Sequence, residues 1–132
     1  MMEYYKHDLT NYDKKMINIT IPFPPSVNTY WGFRGSQRFL TSRAKIFKQA
    51  VATEFVRAGF EPLGSARLRV EIELYPPDRR IRDIDNVVKS TLDALCQAGI
   101  FDDDGQIDVL LVTRRSVIKW GAAKIILTKL EI

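Results

Sequence analysis
Apolar and polar positions alternate with a period of two along two stretches of the chain, the mark of strands with one buried face. In the first, Ile17, Ile19, Ile21 and Phe23 alternate with Asn18 and Thr20, and Pro22, Pro24 and Pro25 end the run. In the second, Leu68, Val70, Ile72 and Leu74 alternate with Arg67, Arg69, Glu71 and Glu73 until Pro76-Pro77. Steps of three and four link Ala44, Phe47, Val51, Phe55 and Ala58, which predicts a helix capped by Thr41 or Ser42 and closed by Gly59. A second helix is expected to begin around Asp83 to Asn86 and to bury Ile84, Val87, Val88, Leu92, Leu95 and Cys96, with Gly99 just past its end. Ile107 to Thr113 reads as a buried strand, and Lys124 to Ile132 as the last one. Ser26 to Leu40 contains Asn28, Gly32, Gly35 and Ser36 without a sustained period and reads as a long functional loop.

The resulting order, β-α-β-α-β-β, predicts an α+β domain: a four-stranded mixed sheet with two helices on one face. Residues 16–132 form that domain and 1–15 a polar N-terminal extension. At 132 residues and 15.2 kDa the chain suits a single core, and 45% hydrophobic with 27% charged residues excludes a disordered chain. Val109 to Val112, the longest apolar run, is too short to cross a bilayer, and Met1 to Asp8 has no apolar run to act as a secretory signal. A cytoplasmic protein without a membrane partner is expected.

Scarce residues narrow the chemistry further. Cys96 alone builds no disulfide framework, and with His7 as the sole imidazole a Cys/His zinc site is excluded. Catalysis by a Ser-His or Cys-His pair would need that terminal histidine. Carboxylates, amines and bound metal remain.

The net charge of +4 averages two territories. No acid occurs between Asp13 and Glu54, where Lys14, Lys15, Arg34, Arg38, Arg43, Lys45 and Lys48 accompany Phe23, Tyr30, Trp31, Phe33 and Phe39. A second acid-free stretch, Val109 to Leu130, carries Arg114, Arg115, Lys119, Lys124, Lys129 and Trp120. Half of the acids fall between Asp78 and Asp108. Either basic stretch alone also fits an ordinary solvated face. Cations interleaved with rings suit nucleic acid, because bases stack on rings while phosphates take the cations.

Asp83 and Asp85 stand two apart, so an extended junction would project both to one side. Asp85 also suits a helix N-cap, and Lys89 lies one helical turn beyond it. Asp102-Asp103-Asp104 follows the helix and could join these acids only if the connecting segment folds back; the alternative is a solvated acidic turn. Converging aspartates suit a hard cation such as magnesium, which can activate water for attack on phosphorus.

Arg82-Asp83-Ile84-Asp85-Asn86-Val87-Val88-Lys89, followed by Leu92-Asp93-Ala94-Leu95, Ala98-Gly99 and Asp103-Asp104-Gly105-Gln106-Ile107, resembles the RusA family of Holliday junction resolvases. Ile19 to Asn28 resembles that family's first strand and loop, and the likeness runs from about Ile17 to the C-terminus. It implies a homodimeric, magnesium-dependent endodeoxyribonuclease, with manganese able to substitute, that nicks two opposed strands of a four-way DNA junction in recombination and repair. Phages and prophages commonly encode such enzymes. By position, Asp83, Asp85 and Asp104 match the family's metal-binding aspartates and Lys89 its important lysine, with Asp103 and Asn86 in support. Asp102 departs from a usually hydrophobic position, and Gly105-Gln106 sets the match on Asp104. Asn28, Tyr30, Trp31, Arg34, Arg38, Arg79, Arg80, Arg82 and Lys119 are the expected DNA contacts. Two rivals are a junction- or single-strand-binding protein without catalysis and a small-molecule phosphohydrolase or transferase.

Overall fold
The structure, a computed structural model, describes residues 16–131. The N-terminal extension, with His7, Lys14 and Lys15, and Ile132 lie outside the described residues. In chain order the elements are β1 (Met16–Ile21), the short helix α1 (Val27–Tyr30), β2 (Trp31–Arg34), β3 (Gln37–Leu40), α2 (Ser42–Ala58) and β4 (Leu68–Tyr75). A 3₁₀ turn (Ile84–Val87), α3 (Val88–Gln97), a second 3₁₀ turn (Asp104–Gln106), β5 (Ile107–Arg114) and β6 (Ala122–Lys129) complete it.

Alternation sets the layers. Leu68, Val70, Ile72 and Leu74 are buried along β4 while the residues between them are half-exposed, and Ile17, Ile19 and Ile21 repeat the pattern on β1. One sheet face therefore carries the core. Ala44, Phe47, Val51 and Phe55 of α2 and Leu92, Ala94 and Leu95 of α3 belong to the same apolar cluster. The mixed sheet has the order β1-β6-β4-β5: β6 runs antiparallel to β1 and β4, and β4 is parallel to β5. This is the expected α+β layout. The Thr41 hydroxyl accepts from the Ala44 amide and Gly59 closes α2 with left-handed backbone, as the spacing predicts.

Several expectations need correction. The stretch read as a loop contains α1 and an antiparallel hairpin, β2 against β3, whose two-residue turn begins at Gly35 with φ +60°. Strands of four residues are too short to show a period, and glycine first in the turn is the local signal that marks them. Ile107 to Thr113 is not buried: Val109, Leu110 and Leu111 are exposed because β5 is an edge strand with a partner on one side only. A continuous apolar run signals burial on both faces only inside a sheet. The second helix becomes α-helical at Val88, after the 3₁₀ turn, so Ile84 is exposed and Asp85 makes no cap. Ala58 is exposed, and Cys96 is only partly buried, its thiol donating to the Asp102 carbonyl at 3.1 Å. No helix among the described residues is long and apolar enough to cross a membrane.

Candidate active site and nucleic-acid surface
Strand direction gathers the loops. Ile21 and Leu74 both register with Ala123 of β6, and Leu74 also pairs with Arg114 of β5. The segments leaving β1 and β4 and the connection between β5 and β6 therefore meet at one end of the sheet. Ser90 on α3 fastens the first of them, its hydroxyl donating to the Pro25 carbonyl at 2.6 Å. A cleft of about 630 Å³ opens beside this contact, lined by Asn28, Arg43, Arg80, Arg82, Asp83 and Asn86 among others. Neither Ser90 nor Arg43 was among the residues expected from the family likeness; Arg43 was visible only as one cation of the acid-free stretch.

Asp83 ends the extended segment (φ −83°, ψ 132°) and Asp85 sits within the 3₁₀ turn, so strand alternation does not carry through the pair. Both are exposed, and neither carboxylate makes a hydrogen bond or ion pair among the described residues. Their neighbour Arg82 is occupied. It pairs with Asp78 at 2.8 Å, donates to the Asp78 carbonyl at 3.1 Å, and lies over the Phe23 ring at 5.6 Å. The Arg80 amide and the Arg82 guanidinium hold the Asp78 carboxyl below the usual range. Arg79 is exposed.

The acidic turn after α3 is braced from behind by Gln106, a buried residue. Its carbonyl oxygen accepts from the Asp102 and Asp103 amides at 3.1 and 2.9 Å, and its amide nitrogen donates to the Gly64 and Ala66 carbonyls at 2.9 and 2.6 Å. The Asp103 carboxylate accepts from the Gly105 amide at 2.8 Å, completing a capping box. So held, Asp104 lies 3.7 Å from the Lys89 ammonium. The segment after α3 does fold back toward the first turn of that helix. It does not bring all the acids together: among the described residues no three His, Cys, Asp or Glu side chains close on one point. Asp104 precedes the start of β5. The Asp83 side follows Arg82, whose carbonyl accepts from Arg114 at that strand's far end.

On the hairpin, Arg38 stacks over Trp31 at 3.9 Å and Arg34 over Phe39 at 5.5 Å, with Phe33 exposed beside them. Rings and cations share one projecting ribbon. Tyr30 is a correction: at 1% exposure its ring offers no stacking face, and its hydroxyl donates to Asp93 of α3. Burial, then the Asp93 contact, pushes that hydroxyl well above the ordinary tyrosine value. It anchors the ribbon to the core. Lys119 lies 5.4 Å from the Trp120 ring on the β5–β6 connection.

The donor chemistry suits a hard divalent cation, since every candidate ligand is a carboxylate and two of them have no partner. Fold and surface define a single-domain α+β protein with unengaged aspartates set among arginines. The family model for endodeoxyribonuclease RusA matches residues 22–128, and the chain belongs to that family. It is similar to the crossover junction endodeoxyribonuclease of Enterobacteria phage HK97, 36% identical over 84% of this chain and 92% of the relative. The corresponding proteins of Enterobacteria phage 82 and Escherichia coli strain K12 are each 32% identical, over 86% of this chain and 94% of theirs.

Proposed function
We propose that this chain is a magnesium-dependent, structure-selective endodeoxyribonuclease that resolves four-way DNA junctions by paired nicks, in recombination and repair. The observation that carries the reading is the pair of unpartnered carboxylates of Asp83 and Asp85, the first of them lining an arginine-bordered cleft, in a chain whose relatives are named for junction cleavage. Asp83, Asp85 and Asp104 would hold the ion, magnesium or manganese. When bound it supplies an activated water and neutralises charge on the phosphate. Lys89 is positioned by Asp104 and would balance charge on a phosphate oxygen. Asp103 sets the turn that presents Asp104, and Asn28 and Asn86 offer amides to the backbone at the cleft. Arg34, Arg38, Arg79, Arg80 and Lys119 supply salt-sensitive affinity, and the Trp31 ring adds apolar contact. Arg82 acts through the loop it ties to Asp78.

A homodimer fits the same reading. The edge of β5, with Val109, Leu110 and Leu111 exposed, is long and apolar, the kind of edge that invites another strand. Antiparallel pairing of two copies about Leu111 would set the start of one β5 against the end of the other. That would carry Asp104 of one copy toward the Asp83–Asp85 turn of its mate. Two opposed nicks need two such sites. A mixture of Asp85→Asn and Asp104→Asn chains should then recover cleavage that neither variant shows alone; no recovery would place each site within one chain.

The deciding assay offers a synthetic four-way junction, with and without magnesium, against a linear duplex of the same sequence. Cleavage confined to the junction and dependent on the ion is expected. Tight binding with no cleavage in either ion would favour a binding protein instead.

A further inference from the structure
Trp120 is the only non-glycine residue among those described with left-handed backbone, at φ +72°, and its side chain is 83% exposed. The Gly121 amide donates to the Ile118 carbonyl at 3.0 Å, which puts Lys119 and Trp120 at the centre of a tight turn. In that position a Cβ is crowded and glycine is the ordinary occupant. The fold thus holds a large apolar ring on an unfavourable backbone, largely uncovered among the described residues. Outliers of this kind point to work done outside the fold.

The turn is pinned on both sides. The Ile118 amide donates to the Pro76 carbonyl at 3.0 Å, and a Cβ on Gly121 would meet Phe23 at 2.9 Å and Pro77 at 3.0 Å. Phe23 in turn lies beneath Arg82, next to Asp83. Trp120 therefore stands at the end of the sheet where the loops gather, with Lys119 beside it, Arg115 on the same connection and Arg114 at the end of β5. Two acids on this side are engaged: Glu54, which lines the hollow next to Trp120, pairs with Arg57 at 3.1 Å, and Glu73 with Arg115 at 3.1 Å. An exposed ring bordered by cations suits a base attached to its phosphates better than it suits an apolar protein surface.

We propose that Trp120 is a stacking platform for an unstacked base, the residue through which this protein recognises the branch point of its DNA. The inference rests on the junction-cleaving reading above. Trp120→Gly and Trp120→Phe variants test it, assayed with chelator present for binding to a four-way junction, to a linear duplex and to an oligo-dT single strand. For Trp120→Gly, melting temperature should hold or rise by up to about 5 °C, because glycine suits the turn. Affinity for the junction and for the single strand should fall about tenfold or more, with duplex affinity within about threefold. Trp120→Phe should fall between. Unchanged junction and single-strand affinity in Trp120→Gly would overturn the proposal. So would a lower melting temperature, which would give the ring a structural role, or a change of oligomeric state in sedimentation, which would make this a protein contact. The two readings fail separately. A parent protein that does not prefer junctions, yet loses single-strand binding with Trp120, removes the resolvase reading and keeps the platform.

Discussion
Two 3₁₀ turns carry the acids of this site, one before α3 and one after it, and they are built in opposite ways. The later turn is braced: Gln106 holds four backbone groups, Asp103 caps, and Asp104 faces Lys89. The earlier turn leaves the Asp83 and Asp85 carboxylates without a partner among the described residues. A carboxylate that serves the fold has its oxygens engaged by the fold, whereas a free one keeps its acceptor sites for something outside. The contrast gives the open turn ligand work alone and the braced turn the structural work of presenting Asp104, and each assignment can be broken.

The largest effect is expected at the open turn. Asp85→Asn should lower junction cleavage by about 10³-fold, equivalent to about 4 kcal/mol of barrier, while urea unfolding stays within about 0.5 kcal/mol of the parent. Junction binding should persist. Normal cleavage would show that this acid is not a ligand. The braced turn should respond in the reverse sense. Gln106→Leu leaves the Asp103 amide and the Ala66 carbonyl without their partner, while the Asp102 amide still donates to the Gly64 carbonyl at 3.1 Å, and about 2 kcal/mol of stability should be lost. A cost below about 1 kcal/mol would mean the brace is incidental.

Asp93 supplies an intermediate case, an acid engaged from inside by the Tyr30 hydroxyl. Tyr30→Phe should cost about 1–2 kcal/mol, since it leaves the half-buried carboxylate without its donor. The folded state holds the Tyr30 proton beyond the ordinary tyrosine value, so this contribution is complete below about pH 10 and lost as pH rises above it. Denaturation at a series of alkaline pH values should show a steeper loss in the parent than in Tyr30→Phe. Equal slopes would remove Tyr30 from the account. The smallest effect belongs to the ribbon: Arg34→Ala with Arg38→Ala should weaken junction binding several-fold and flatten its dependence on salt by about one unit of slope per lost phosphate contact. An unchanged slope would take the hairpin off the DNA.

Most of the layer structure was legible because burial on one face leaves a period in the chain. Leu68 to Leu74 and Ala44 to Phe55 announced themselves in that way, and the proline and glycine punctuation marked their ends. The hairpin Trp31 to Leu40 escaped because four-residue strands lack a period, and α3 begins late because a 3₁₀ turn and an α-helix share the same apolar spacing over one turn. Within the site, the acids stood out by type and order, and the family likeness singled out Asp83, Asp85, Asp104 and Lys89. Tyr30 was misread because a ring amid cations looks the same in sequence whether it faces solvent or core.

Local pattern alone determined the element types, the buried faces of β1, β4 and α2, and the scarcity of any chemistry beyond carboxylates, amines and metal. Tertiary structure decided what depends on distant segments meeting. It put β5 at the sheet edge with its leucines exposed, returned Asp104 to Lys89 through the bracing amide of Gln106, and turned Tyr30 inward onto Asp93. Periodicity is a property of neighbours along the chain, whereas strand order and the pairing of side chains some 60 residues apart are settled only when the whole core closes.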